Sequence, residues 1–294
     1  MKDKSEIKRE VQEFYDQYGW QQIGEGLYQN SRYEDLRSVS EEYVRRCRER
    51  VSRYLPENGT LILDGGSGPI QYPEYEAYSK GFNHRVCLDI SSLALKEARK
   101  RIGEHGLYVV GDLANLPFKD NAFKAAVSMH VIYHLPMDDQ ESAFREFFRI
   151  LKVGGNAVVI YSWGEHSLLM RLAKIPVQLA GWMLRLYSRL RFGKDRPMKV
   201  KDQEIDKETV ALLTKPGLYS FKHDYQWLRN RVGDLPDFEV RVWRAVSSAF
   251  LRTLVHRQFF GRQWLRILYW FEEKIPHILG RVGQYPMVLF RKPE

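Results

Sequence analysis

The chain has 294 residues and is 44% hydrophobic, enough for one large core with insertions or for two small ones. Its two cysteines, Cys47 and Cys87, stand apart from any Cys/His cluster, which argues against a disulfide framework or a structural zinc and fits a reducing compartment. The charged start MKDKSEIKREVQEF has no apolar signal core, and no run approaches the roughly 18 apolar residues of a membrane span, so a cytoplasmic location is expected.

The net charge of +9 is uneven. Residues 166–201 hold nine Lys/Arg against Asp195 alone, and residues 241–294 hold ten against three acids, so the remainder is acidic.

Taken in order, IKREVQEFYDQYGW and SEEYVRRCRERVSRYL repeat apolar residues at helical spacing. An aromatic connector with Trp20, Tyr28 and Tyr33 joins them, and Pro56, Asn58 and Gly59 end the pattern. Residues 1–57 are thus expected to form a helical cap. From Thr60 short apolar strands alternate with helices: TLILD, HRVCLD, LYVV, FKAAVSM and NAVVIYS, then DFEVRVW and YPMVLFR as closing strands. Near-continuous apolar strands alternating with helices predict an α/β fold. The expected architecture is a doubly wound, mostly parallel seven-stranded sheet over residues 58–294.

The first strand runs into LILDGGSGP. In an open parallel sheet the ligand sits beyond the carboxyl ends of the strands. Asp64 closes this strand, and Gly65, Gly66 and Gly68 let the backbone turn tightly beside a ligand. The dinucleotide fingerprint fails, because counting from Gly66 its third glycine falls at Gln71; the P-loop pattern is absent. An acid beside glycines, without a phosphate-binding lysine, suits a ligand with a positive group. The second strand ends at Asp89, placed to accept hydrogen bonds from a ribose. The third ends in GDLANLPF, where Asp112 could meet an adenine amino group and Leu113 could flank the ring.

These stretches, with CLDIS, KDNAFKAAVSMHVIYHL and FREFFRILKVGGNAVVIYS, resemble the class I S-adenosylmethionine-dependent methyltransferases of the UbiE-like group. The resemblance is dense over about residues 60–162. It implies S-adenosylmethionine as donor, S-adenosylhomocysteine as product, and no metal. It also implies that Asp64, Gly65, Gly66, Ser67 and Gly68 cradle the methionine part, that Asp89 and Ile90 hold the ribose, and that Gly111, Asp112 and Leu113 meet the adenine. Met129 and His130 would border the sulfonium. The chain departs from the fullest glycine pattern at Ile70.

Methyl transfer needs nucleophile, methyl and sulfur in line, and an oxygen or carbon acceptor also needs a base. The fourth strand end, SMHVIYHLP, offers His130, Tyr133 and His134. A histidine there equally serves to shape the loop. Enzymes that methylate an exocyclic adenine amine or a glutamine amide carry Asn/Asp-Pro-Pro-Tyr at this point. Ser128-Met129-His130-Val131 replaces it here and disfavours those acceptors.

Two basic insertions, 163–216 and 244–284, leave from the cofactor edge and are expected to form a lid over the acceptor site. They read as helices packed on each other, as a membrane-surface contact serving a lipid-linked acceptor through Trp182, Leu184, Leu186 and Tyr187, or as a pocket for an anionic, phosphorylated or sugar-linked acceptor. Pro176 and Gly181 should kink the first insertion, so that it is not one long straight helix. Tyr15, Tyr18, Trp20, Tyr28 and Tyr33 could cover the cofactor or line the pocket. The expected activity is methylation of a small-molecule, glycan or lipid acceptor, at oxygen or carbon. An RNA methyltransferase using the basic face and a catalytically decayed cofactor-binding scaffold are the alternatives. Nucleic acid is disfavoured, since no RNA-binding module or arginine-rich tail is added.

Overall fold

Seven apolar runs assemble into one sheet in the computed structural model, which describes residues 3–24, 27–192 and 218–294. The strands are β1 (Gly59–Gly65), β2 (Phe82–Asp89), β3 (Gly106–Val110), β4 (Phe123–Met129), β5 (Leu151–Ile160), β6 (Glu239–Arg244) and β7 (Tyr285–Arg291). Their order is β3-β2-β1-β4-β5-β7-β6. The first five pair in parallel, and β7 runs antiparallel to both β5 and β6. Strand order reverses between β1 and β4, so a crevice opens beyond their carboxyl ends, as the sequence predicts.

The helices are α1 (Lys4–Phe14), α2 (Glu41–Arg50), α3 (Ser92–Ile102), α4 (Asp139–Ile150), α5 (Leu168–Phe192), α6 (Tyr225–Val232), α7 (Ser248–Leu254), α8 (Gly261–Lys274) and α9 (Pro276–Val282). On one sheet face α4 buries Ala143, Phe144, Phe147 and Ile150, one stripe at helical spacing, together with Leu228 and Val232 of α6. On the other face α2, α7 and α8 bury Tyr43, Cys47, Leu251 and Leu265. Burying a Phe or Leu is worth about 1.5–3 kcal/mol, so each stripe fixes its helix firmly. Arg50 of α2 reaches Glu272 at 3.0 Å and Glu273 at 2.9 Å on α8, which ties the N-terminal segment to the second insertion.

One local expectation changes. β5 starts at Leu151, five residues before the predicted Asn156, because Leu151 already pairs with Phe123 and the ladder resumes past Gly154, whose φ is +68°. α5 is one continuous helical segment from Leu168 to Phe192 with Pro176 inside it. Pro176 cannot donate to the Leu172 carbonyl, but both residues are exposed, so water can take that place. Residues 193–216 of the first insertion, and the side chains of Leu184, Leu186 and Tyr187, lie outside what the structure describes.

Candidate active site

The turn after β1 needs its glycines. Gly66 and Gly68 have φ of +72° and +54°, and a Cβ on Gly66 would lie 2.4 Å from Val131. Ile70 shares that left-handed region at φ +53° although it is β-branched, a strained conformation where a third glycine would sit freely. The Gly66 and Ser67 amides donate to the Leu88 carbonyl at 2.7 and 3.2 Å, locking the turn against β2. Asp89 completes the lock by accepting from the Gly68 amide and the Ser91 amide, both at 2.9 Å. Burial pushes its carboxyl up to about 6, although those two N–H groups favour the charged form.

The other predicted acids already have partners. Asp64 pairs with buried Arg85, which donates through Nε at 3.0 Å and through Nη2. A cation of the protein's own therefore stands where the sequence suggested a positive group of the ligand. Asp112 receives Lys8 Nζ of α1 at 2.6 Å and the Ala114 amide at 2.9 Å, and Lys8 also bridges to Asp139 at 2.6 Å. Leu113 is buried beside it.

A cavity of about 580 Å³ opens along these strand ends. Asp64, Gly66, Ser67 and Gly68 line it, as do Asp89 and Ile90, then Gly111, Asp112 and Leu113. Met129, His130, Tyr133 and His134 continue the wall. Gly65 does not reach it and packs behind, where a Cβ would lie 2.5 Å from the Phe147 ring. Of the cap aromatics, Tyr15, Trp20 and Tyr33 line the cavity. Trp20 lies over Gly68 and stacks on Tyr15 at 5.1 Å, with Tyr28 edge-on behind it at 6.1 Å.

His130 takes a left-handed φ of +63° and sits between Trp243 and Tyr285, at centroid distances of 4.6 and 5.2 Å. Its Nδ1 is buried without a hydrogen-bond partner among the described residues. Burial first, then the Arg244 charge, brings the imidazole down to about 3. His134 places Nδ1 2.8 Å from the Tyr219 carbonyl, which can only accept, so Nδ1 carries the proton and Nε2 keeps a lone pair. Burial brings His134 down to about 4. Both rings are neutral at pH 7. Burial drives the Tyr133 phenol the other way, well above its usual value, so it serves as a donor and not as a phenolate.

The far wall was not legible in the sequence. Glu34 binds the buried guanidinium of Arg244, and Ser248 bridges the pair at 3.0 Å to Glu34 and 3.1 Å to Arg244. Burial alone would raise the Glu34 carboxyl, but Arg244, with Arg48 behind it, holds it down at about 2. Arg244 Nε has no hydrogen-bond partner among the described residues, and Tyr285 faces the guanidinium at 4.7 Å. Residues 34 and 244 meet only through the fold, so no local motif marks them.

Residues 63–159 match a family model described as a methyltransferase domain. The chain is 32% identical over 144 residues to the probable tRNA methyltransferase 9B of Mus musculus, covering 48% of this chain and 30% of that protein. It is 32% identical over 112 residues to the ubiquinone/menaquinone biosynthesis C-methyltransferase UbiE of a Ruegeria species, covering 36% and 43%. The matched part thus spans less than half of either relative. Among solved structures, a Haemonchus contortus phosphoethanolamine N-methyltransferase 1, in complex with phosphoethanolamine and S-adenosylhomocysteine, superposes with a TM-score of 0.59. It covers all of this chain and 50% of its own at 10% identity, a likeness of fold. With the sheet order, the glycine turn and the domain match in agreement, residues 63–159 carry a methyltransferase domain, and the sheet that holds them has the fold of the class I S-adenosylmethionine-dependent methyltransferases.

Proposed function

We propose that the protein transfers a methyl group from S-adenosylmethionine to a small molecule, or to the head of a lipid- or sugar-linked one, at oxygen or carbon. The observation that carries this reading is that one cavity joins the glycine turn and Asp89 to the wall of Glu34, His130, Arg244 and Tyr285. Its volume lies within the roughly 300–1,000 Å³ typical of small-molecule sites.

The residues suit the cofactor. Gly66 and Gly68 leave room where any Cβ would intrude, and Asp89 offers a buried carboxylate to ribose hydroxyls. Asp112 and Leu113 stand for the adenine, with Lys8 sharing the Asp112 carboxylate. The cofactor would supply a methyl group already activated by a positive sulfur. The protein's part is alignment and proton handling. His134 Nε2 and the neutral His130 ring can accept a proton or a hydrogen bond from an acceptor hydroxyl, and Tyr133 can donate one. A low imidazole pKa makes each histidine a weak base that is always in its accepting form.

RNA is the second reading, favoured by the likeness to the probable tRNA methyltransferase and by the basic insertions. Methyl-labelled S-adenosylmethionine offered with lipid extract, small polar metabolites and total tRNA separates the two. Label in either of the first two fractions supports the proposal. Label only in RNA overturns it, and so does no label anywhere from protein that binds the cofactor.

A further inference from the structure

The second insertion presents an apolar face that nothing among the described residues covers. Phe260, Trp264, Ile267 and Phe271 succeed one another at steps of four, three and four residues along α8, with Trp270 and Phe259 beside them. Phe259 is 67% exposed, Phe260 70%, Trp264 64% and Trp270 53%; the stripe continues at Ile275 and Ile278. At about 200 Å² per aromatic side chain, these five rings present about 600 Å² of apolar surface. That is the upper end of the largest patch on an ordinary monomer. The opposite face of α8, with Leu265, Tyr269 and Glu272, is buried against α2, so the exposed stripe does not contribute to the core.

The charge around this face has one sign. Lys274 lies 6.0 Å from the Trp270 ring, and Arg257, Arg262, Arg266 and Arg281 are exposed on the same stretch of chain, Arg262 also donating to the Ser38 carbonyl at 3.2 Å and Arg281 lying over the Tyr225 ring at 5.1 Å. Among the described residues, only Arg266 of these has a carboxylate within 4.0 Å, that of Glu42 at 3.0 Å. The two acids of α8, Glu272 and Glu273, are engaged by Arg50 and Arg53. A second stripe repeats the pattern on α5. Leu168, Leu172, Ile175, Leu179 and Trp182 recur at steps of four and three, all exposed, with Arg171 and Lys174 exposed among them. Both stripes adjoin α7, since the Ser247 amide meets Met170 Sδ of α5 at 3.4 Å and α7 leads through residues 257–259 into α8. Ser248, which opens α7, lines the cavity.

We propose that the α8 face is a docking surface for an anionic lipid bilayer, lying in the plane of the interface with the aromatics inserted and the Arg/Lys heads on lipid phosphates. No helix among the described residues is long and apolar enough to cross a bilayer, which fits an in-plane contact. The aromatic rings supply apolar insertion, and the cations without a carboxylate partner select the sign of the headgroup. The inference is independent of the acceptor's identity.

Co-sedimentation of the full chain tests it, with vesicles of phosphatidylcholine alone and of phosphatidylcholine with about a third phosphatidylserine. Binding should be at least tenfold stronger to the anionic vesicles and should fall as salt rises. Trp264→Ser/Trp270→Ser should lose at least tenfold of that binding with an unchanged melting temperature and unchanged S-adenosylhomocysteine affinity. Should the double variant melt lower, the single exposed change Trp264→Ser replaces it in the same comparison. No binding, equal binding to both vesicles, or undiminished binding by the variants overturns the proposal. A dimer that disappears in the double variant also overturns it, by making a second copy the occupant.

Discussion

Lowering the pH from about 7.5 to about 5 should weaken S-adenosylhomocysteine binding about tenfold, through one carboxylate. Asp89 is pushed up to about 6, first by burial, with the Ser91 and Gly68 amides opposing. In the proposed complex the ribose hydroxyls donate to the ionised carboxylate. The apparent Kd then scales as 1 + 10^(6 − pH), roughly 1 at pH 7.5 and roughly 11 at pH 5. For folding alone the sign is opposite. A raised carboxyl contributes stability that is fully present below its unfolded value of 3.8 and is lost as pH rises through about 6. The cofactor recruits the form that folding disfavours, so binding near pH 5.5 should release about 0.8 proton per ligand. Titration calorimetry in two buffers of different ionisation heat reads both quantities. Asp89→Asn should bind about 1.5–3 kcal/mol more weakly at pH 7.5, the worth of a charge-assisted hydrogen bond, and show no pH slope. A wild-type affinity flat across this range, or the same slope in the Asn variant, would refute the assignment of the ribose to Asp89.

Arg85→Leu should cost about 3–5 kcal/mol by leaving Asp64 buried and unpaired, seen as a lower urea midpoint. Glu34, held at about 2 against an ordinary 4.5, contributes about 3 kcal/mol that is present above pH 4.5 and lost as pH falls toward 2. Acid unfolding of the wild type should therefore be steeper there than that of Glu34→Gln. Gly66→Ala forces a Cβ onto Val131 at a left-handed φ and should weaken cofactor binding about 5- to 150-fold by calorimetry, given about 1–3 kcal/mol of strain. If His134 is the base, His134→Gln should slow methyl transfer about 10²–10⁴-fold, and the wild-type rate at saturating cofactor should be flat above pH 5 because the ring is brought down to about 4.

The strand-end half of the cavity, where the cofactor is proposed to sit, was legible because it is built from strand ends. A parallel strand buried on both faces must be a short apolar run, and the chain must turn at its end, so Asp64, Asp89 and Asp112 announce themselves in sequence. Gly66 and Gly68 are visible because only glycine tolerates their φ cheaply. The partners of those acids were not legible. Arg85 sits inside β2 between His84 and Val86 with nothing local to mark its partner, and Lys8 reaches Asp112 across 104 residues. The opposite wall is harder still, since Glu34 and Arg244 meet over 210 residues of separation. Pro176 stands inside α5, where solvent on that side lets the helix continue past one lost hydrogen bond.

The central claim is that the turn at LILDGGSGP is a cofactor site. Titration of the purified chain with S-adenosylhomocysteine tests it most directly. The account predicts one site per chain with micromolar or tighter affinity. An absence of binding heat, from folded protein shown to carry no ligand from its source, would contradict it.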